Sequence, residues 1–157
     1  MNPTKLEMRL EGDTQVVGKR FFAATPEQIY RAHTDPAIIQ KWMLGPEGWH
    51  MPECQCDHFV GGKMKFVWAN AEGHSFYATG EILEIDPPHR LVHVERMFLP
   101  DPTPDNHIVT TFEAVDGGCL MTLVMTLKCT EDRTNMLASG MEDGMEVSYA
   151  RLESVID

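Results

Sequence analysis

The chain has 157 residues, the length of one domain, and a core of that size can bury about two-thirds of the unfolded surface without disulfide or metal staples. Its composition, 43% hydrophobic and 24% charged, excludes a disordered, collagen-like or coiled-coil protein. Thirteen Lys and Arg against 24 Asp and Glu leave a net charge of −11, which repels nucleic acid and anionic membrane surfaces and favours solubility.

No run approaches the roughly 20 apolar residues of a membrane span. Residues 1–11 are interspersed with Lys5, Glu7, Arg9 and Glu11 and lack the apolar centre of a secretory signal. The expectation is a cytoplasmic protein whose Cys54, Cys56, Cys119 and Cys129 stay reduced.

In chain order, Val16, Val17, Phe21 and Phe22 flank Gly18-Lys19-Arg20 and predict a first strand over 16–22. Thr25-Pro26-Glu27-Gln28 then starts a helix: Thr25 can cap the amide of Gln28, Gln28 can reach back, and Pro26 suits the first helical position. Asp35-Pro36 repeats the device, so two short helices run to about His33 and Met43 and stop at Gly45-Pro46-Glu47-Gly48. From Trp49 the period becomes two. Cys54, Cys56 and His58 alternate with polar neighbours, Gly61-Gly62 turns the chain, and Met64, Phe66 and Trp68 alternate with Lys63 and Lys65.

Beyond a turn at Glu72-Gly73, Phe76, Ala78, Gly80 and Ile82 share one face of a strand that stops at Asp86-Pro87-Pro88. Arg90 to Arg96 is a further strand, and the proline-rich loop 100–105 follows it. Ile108 to Glu113 and Cys119 to Leu127 form a hairpin about Asp116-Gly117-Gly118. The last segment reads as one long helix, capped by Thr130 with Glu131 and Asp132 in its first turn. Leu137, Met141, Met145, Ser148, Leu152 and Val155 make its apolar stripe, with Glu142, Asp143, Glu146 and Glu153 largely off it. Gly140 and Gly144 inside that helix each cost about 1 kcal/mol relative to Ala, which points to close backbone approach or to room for something bound.

The order is strand, two short helices, six strands, long helix. It predicts an α+β fold in which a curved antiparallel sheet wraps around the carboxy-terminal helix and leaves a cavity between them.

At this point the chain resembles a known family. The stretch 20–27, Thr34-Asp35-Pro36, Lys41-Trp42, Asp57 with Gly61-Gly62, the stretch 84–92 and the ending Gly140-Met141-Glu142-Asp143-Gly144 follow one another as its motifs do. The resemblance is to the START-like (SRPBCC) superfamily, in the branch named after the heat-shock-protein-90 ATPase activator. It covers about residues 16–156 of a single domain spanning 1–157. It implies the helix-grip (START/Bet v-like) fold, a ligand cavity, and small-molecule binding rather than co-chaperone activity for a stand-alone domain. The chain departs from the family pattern at Met43, which follows Trp42 where a second aromatic is common, and at His58 and Phe59, where an apolar residue and Arg are usual.

Cys54, Cys56 and His58 fall on one side of a strand, but tetrahedral zinc wants four ligands and no second pair is present. No metal or cofactor is expected. Neither a nucleophile elbow, a phosphate-cradling glycine loop nor an H-E-x-x-H sequence occurs, so no residue is assigned a catalytic role. His58 or His93 could serve as acid or base if the cavity held a substrate, as in the superfamily's polyketide cyclases.

The inward positions are more telling. Met64, Met121, Met125, Met141 and Met145 combine with Trp42, Phe66, Trp68, Phe76 and Phe112 as adaptable apolar and aromatic walls. Cys56, Ile82, Leu123 and Leu137 complete the lining, and His58 and Thr110 are its sparse polar groups. The expected function is sequestration or sensing of a small hydrophobic, aromatic molecule. A cyclase, isomerase or hydrolase would instead need a histidine–carboxylate pair facing the cavity. A chaperone-type role would need an exposed complementary patch, and exposed sheet or loop surfaces leave room for a homodimer.

Overall fold

The computed structural model describes residues 2–156. Its elements are β1 (Glu7–Glu11), β2 (Gln15–Phe22), α1 (Pro26–Thr34), α2 (Pro36–Trp42), β3 (Trp49–Cys56), β4 (Lys63–Asn70), β5 (Ser75–Asp86), β6 (Arg90–Phe98), β7 (Asn106–Val115), β8 (Gly118–Thr126), α3 (Thr130–Ala138) and α4 (Met141–Val155). The strands form one antiparallel, curved sheet in the order β1-β2-β8-β7-β6-β5-β4-β3. β3 to β8 are a meander of hairpins. The α1–α2 pair carries the chain across from β2 to the far edge, and β2 joins the meander by pairing with β8, leaving β1 and β3 as the two edges. This is the helix-grip arrangement.

The local signals act as their chemistry requires. Thr25 Oγ1 accepts from the Gln28 N–H at 3.1 Å, while Gln28 Oε1 accepts from the Thr25 N–H at 2.9 Å, a complete capping box for α1. Asp35 Oδ1 accepts from the Ala37 N–H at 3.0 Å and starts α2. At Gly62 a Cβ would lie 1.8 Å from the Asp57 carbonyl oxygen, so the turn between β3 and β4 admits no side chain there.

Three expectations need correction. The sheet begins earlier than residue 16: β1 pairs with β2 from Glu7↔Lys19 to Glu11↔Gln15. It is an edge strand with only Met8 half-buried, so its apolar signal is too weak to stand out among its charges.

The carboxy-terminal segment is two helices rather than one. Gly140 adopts φ +77°, the left-handed region that ends a helix, and separates α3 from α4. Thr130 does not cap α3. Cys129 holds the cap position, and the Thr130 hydroxyl donates to the Asp13 carbonyl at 2.9 Å.

Off the apolar stripe of α4, Glu146 is half-buried and Glu153 exposed, and both turn to one cation. Arg20, only 2% exposed on the inner face of β2, donates through Nε and Nη2 to the two Glu146 oxygens at 2.8 and 2.9 Å, and through Nη1 to Glu153 at 2.5 Å. The Leu6 N–H also donates to Glu146, at 2.7 Å. This ionic clasp, buried at its guanidinium and open at Glu153, ties α4 to the sheet, and Leu152 and Tyr149 are buried on the same helix. Arg133 ties α3 to the β1–β2 turn by donating to the Glu11, Gly12 and Gln15 carbonyls.

Candidate functional site

Strand register places the concave face. On β4, Met64, Phe66 and Trp68 pair with Gly80, Ala78 and Phe76 of β5. Ile82, Gly80 and Ala78 in turn pair with His93, Glu95 and Met97 of β6. Thr110 pairs with Leu123 and Phe112 with Met121 across β7 and β8, and Cys56 pairs with Met64 at the β3 edge. One side of the sheet therefore carries every strand residue expected to line the site. His58 lies just past the end of β3 in the turn.

These residues divide into two groups. Trp42, Met64, Phe66, Ile82, Phe112, Met121, Leu123, Met125 and Thr110 are buried and packed as core. Cys56, Trp68, Phe76, Leu137, Met141 and Met145 are only half-buried, as are Met97, Met136 and Met43, which the sequence reading did not select. The half-buried group includes strand residues and residues on both sides of the α3–α4 break. Asn106 Nδ2 of β7 donates to the Met136 sulfur of α3 at 3.6 Å. The same group holds an aromatic row: Trp68 stacks on Phe76 at 5.0 Å between ring centres, and Trp49 meets Phe76 edge-on at 5.2 Å. The Trp68 indole N–H donates to the Met43 carbonyl at 2.8 Å, which fixes the ring. A Cβ at Gly144 would meet nothing within 4 Å, so close approach does not explain that glycine and space lies beside it.

Two recesses lie elsewhere. One of about 310 Å³ lies on the outer face of the sheet beside Lys63, Thr79, Arg96 and Asp105. The other, about 210 Å³, is bounded by Ala23, Gln28, Glu153 and Ile156.

The polar groups around the site form two sets. At the α1 end, the Tyr30 hydroxyl lies 2.7 Å from Nε2 of His58, which is exposed in the turn rather than turned inward as the sequence suggested. Burial pushes Tyr30 up to about 12, with Cys56 and Asp86 adding to it, so its hydroxyl keeps its proton and can donate to His58. Deeper in, His93 Nε2 faces Glu95 Oε1 at 3.6 Å, a histidine–carboxylate pair on the concave face.

His33 of α1 packs edge-on against Trp42 and Phe112 at 5.0 and 5.3 Å. Its Nδ1 lies 2.8 Å from the Ile29 carbonyl, and burial lowers its pKa to about 4, with His93 adding repulsion. Burial also raises the Tyr149 hydroxyl, beside Glu95, above the ordinary tyrosine range.

Cys54 and Cys56 are free thiols pushed up by burial to about 12 and 11, which makes them unreactive at neutral pH. Among the described residues, no group of three His, Cys, Asp or Glu side chains could hold a metal ion.

Glu95, Met97, His33 and Tyr149 were missed in the sequence. For the first two a signal existed, because residues 91, 93, 95 and 97 share one face of a strand. His33 and Tyr149 needed the helices to be placed over the sheet.

A profile of the family described as Activator of Hsp90 ATPase homolog 1-like protein matches residues 23–157. Among solved structures, a Rhodobacter sphaeroides protein superimposes with a TM-score of 0.90 at 31% identity, covering 96% of this chain and 96% of its own. A Mycobacterium smegmatis protein reaches 0.83 at 23% identity, with 97% and 95% covered. An AHSA1-like protein from Aeromonas hydrophila reaches 0.74 at 20%, with 89% and 92% covered. The last two likenesses speak for the fold alone. No curated protein matches the chain. No helix among the described residues is long and apolar enough to cross a membrane.

Proposed function

The chain belongs to the Activator of Hsp90 ATPase homolog 1-like family of the START-like (SRPBCC) superfamily, and from that premise we propose that its concave face binds a small, largely apolar, aromatic molecule between β4–β7 and the α3–α4 break. The superfamily fold is that of a ligand-binding domain, which supports a binding role in general. The finer reading rests on one observation: half-buried methionines and a stacked aromatic row share a face that elsewhere is packed solid. Methionine side chains can swing aside at little cost, so such a wall can open for a flat apolar guest without unfolding its supports. Sequestration or sensing follows, because the site holds few paired titratable groups.

Native mass spectrometry of the purified protein, with Trp68 quenching across a panel of planar hydrophobic compounds, tests the reading. A retained small molecule or saturable quenching is expected; an empty protein unresponsive to the whole panel would sink it. The His93–Glu95 pair favours a second reading, acid–base catalysis on the same guest. In that case His93→Gln would keep binding but stop conversion of a bound aromatic ketone, followed by product mass. Unchanged guest recovered from wild type removes this reading.

A further inference from the structure

The sheet has two open edges, β1 and β3, and they are built differently. A free edge presents backbone N–H and C=O groups to any strand that meets it, so proteins blunt edges with proline, bulges or charge. β3 carries Pro52 in mid-strand and a register shift between His50 and Glu53, which deter a further strand. β1 has neither device. Its pairing with β2 runs without a shift from Glu7↔Lys19 to Glu11↔Gln15.

The ladder settles which backbone groups β1 turns outward. The Phe112 N–H of β7 donates to the His89 carbonyl at the start of β6, so in alternation Val109 and Thr111 face β8. Carried through the β7–β8 and β8–β2 registers, the same alternation turns Val17 and Lys19 toward β1. The Phe21 N–H agrees, since it donates to the Pro3 carbonyl on that side. Glu7, Arg9 and Glu11 therefore give their backbone groups to β2, while Met8 and Leu10 point theirs off the edge. The Leu10 side chain beside those groups is 57% exposed.

The side chains select one partner for this edge. Residues 5–11 read Lys-Leu-Glu-Met-Arg-Leu-Glu, where two cations balance two carboxylates in a chain of net charge −11. Two copies laid antiparallel about Met8 set Lys5 against Glu11, Leu6 against Leu10, Glu7 against Arg9 and Met8 against itself. Every cation then meets a carboxylate and every apolar side chain an apolar one. Centring on Arg9 instead brings Arg9 onto itself and Glu7 onto Glu11, and centring on Leu10 brings Glu7 onto Asp13. A parallel in-register pairing sets each charge against its like. The charges that deter other strands from β1 thus admit a second copy of it in one register.

We propose that the protein forms a two-fold dimer through β1, joining two sheets into one, with Met8 exchanging backbone hydrogen bonds with Met8 of the partner subunit. The Leu10 N–H donates to the carbonyl of Leu6 of the partner subunit, while the Leu6 N–H stays with Glu146. Arg9, held in the single chain by Glu11 of its own strand, turns to Glu7 of the partner subunit. Lys5 of the partner subunit takes its place at Glu11. One short strand a side is a small contact, so the association is weak and reversible.

Sedimentation of the full chain from low to high micromolar concentration tests it, with circular dichroism confirming the fold of each variant. Wild type is expected to rise from the mass of one chain toward that of two. Arg9→Glu puts two like-charged pairs into the register and should weaken the dimer at least about tenfold. Adding Glu7→Arg restores opposite charges and should bring the dimer back, a rescue specific to this register. Leu10→Pro removes an N–H that faces outward, so the single chain keeps its ladder while the dimer loses two hydrogen bonds. If the charge variants do not fold, Leu10→Pro carries the test. Wild type that stays monomeric throughout overturns the proposal, whether or not another protein captures β1. So does a dimer of wild-type affinity in folded Arg9→Glu or Leu10→Pro, or a folded charge swap that fails to rescue.

Discussion

Two ends of the same concave face are built on opposite terms. Around β2 and the second half of α4, Arg20, Phe22 and Leu152 are almost completely withdrawn from solvent, and a guanidinium is held by two carboxylates. Toward β4–β6 and the start of α4, Met97, Trp68, Met141 and Met145 keep part of their surface in water. Both ends face inward and both are apolar, so burial of apolar area alone does not separate them. The difference lies in closure: the first end is almost wholly withdrawn from solvent, the second only in part. A binding fold needs both, because a wall can move only if something else holds the helix.

The sharpest way to break the contrast is at the ionic clasp. Arg20→Ala strands Glu146 beside the sheet and should cost about 3 kcal/mol, read from the denaturant midpoint. A loss below about 1 kcal/mol would mean that packing alone holds α4.

Acid probes the same end from another side. His33 titrates at about 4 in the fold, against an ordinary value of 6.5. As pH falls through that window, the unfolded chain takes up a proton that the fold refuses. Stability is therefore complete above about pH 6.5 and drains by about 3 kcal/mol on approach to pH 4. Glu146 adds to the loss at lower pH. Burial opposes its ionisation, but the Arg20 and Leu6 hydrogen bonds outweigh that and hold it below the usual carboxylate range. His33→Phe should flatten melting temperature against pH across this window; an unchanged slope would assign the acid sensitivity elsewhere.

At the more open end the expected stability effects shrink and binding takes over as the readout. Met141→Ala removes a half-buried side chain and should cost less than about 1 kcal/mol, well under the 2–5 of a solid core site. Its larger consequence should be weaker binding of a hydrophobic probe. Gly144→Ala gives the smallest shift and the most informative sign. With open space beside its Cβ position, Ala should raise the melting temperature by the helix-propensity gain, at most about 1 kcal/mol. Binding should weaken if that space belongs to the guest, and unchanged binding would place the guest elsewhere.

Much of the architecture was readable beforehand because its causes are local. Thr25 and Gln28 cap α1 with their own side chains, Asp35 caps α2, and the Gly61-Gly62 and Asp116-Gly117 turns need only their own backbone freedom. Alternation along β4, β5 and β8 was equally direct, since a pleated strand sends every second residue to the same face. The site was less readable. Met64, Phe66, Met121 and Met125 share that face with Trp68 and Phe76, yet only placement of the helices decides which stay packed and which remain half open. Gly140 was visible as an anomaly, but its positive φ, and hence the break between α3 and α4, belongs to the folded chain.

From residue order alone came the strand and helix succession, the family likeness and the inward set of apolar side chains. These depend on interactions spanning a few positions and on a period of two or 3.6. Tertiary structure decided that Arg20 finds Glu146 and Glu153 more than a hundred residues away, and that His33 turns an unpaired nitrogen inward. Such pairings are set by which elements the fold brings together. A buried polar atom acquires its need for a partner only once water has been excluded from around it.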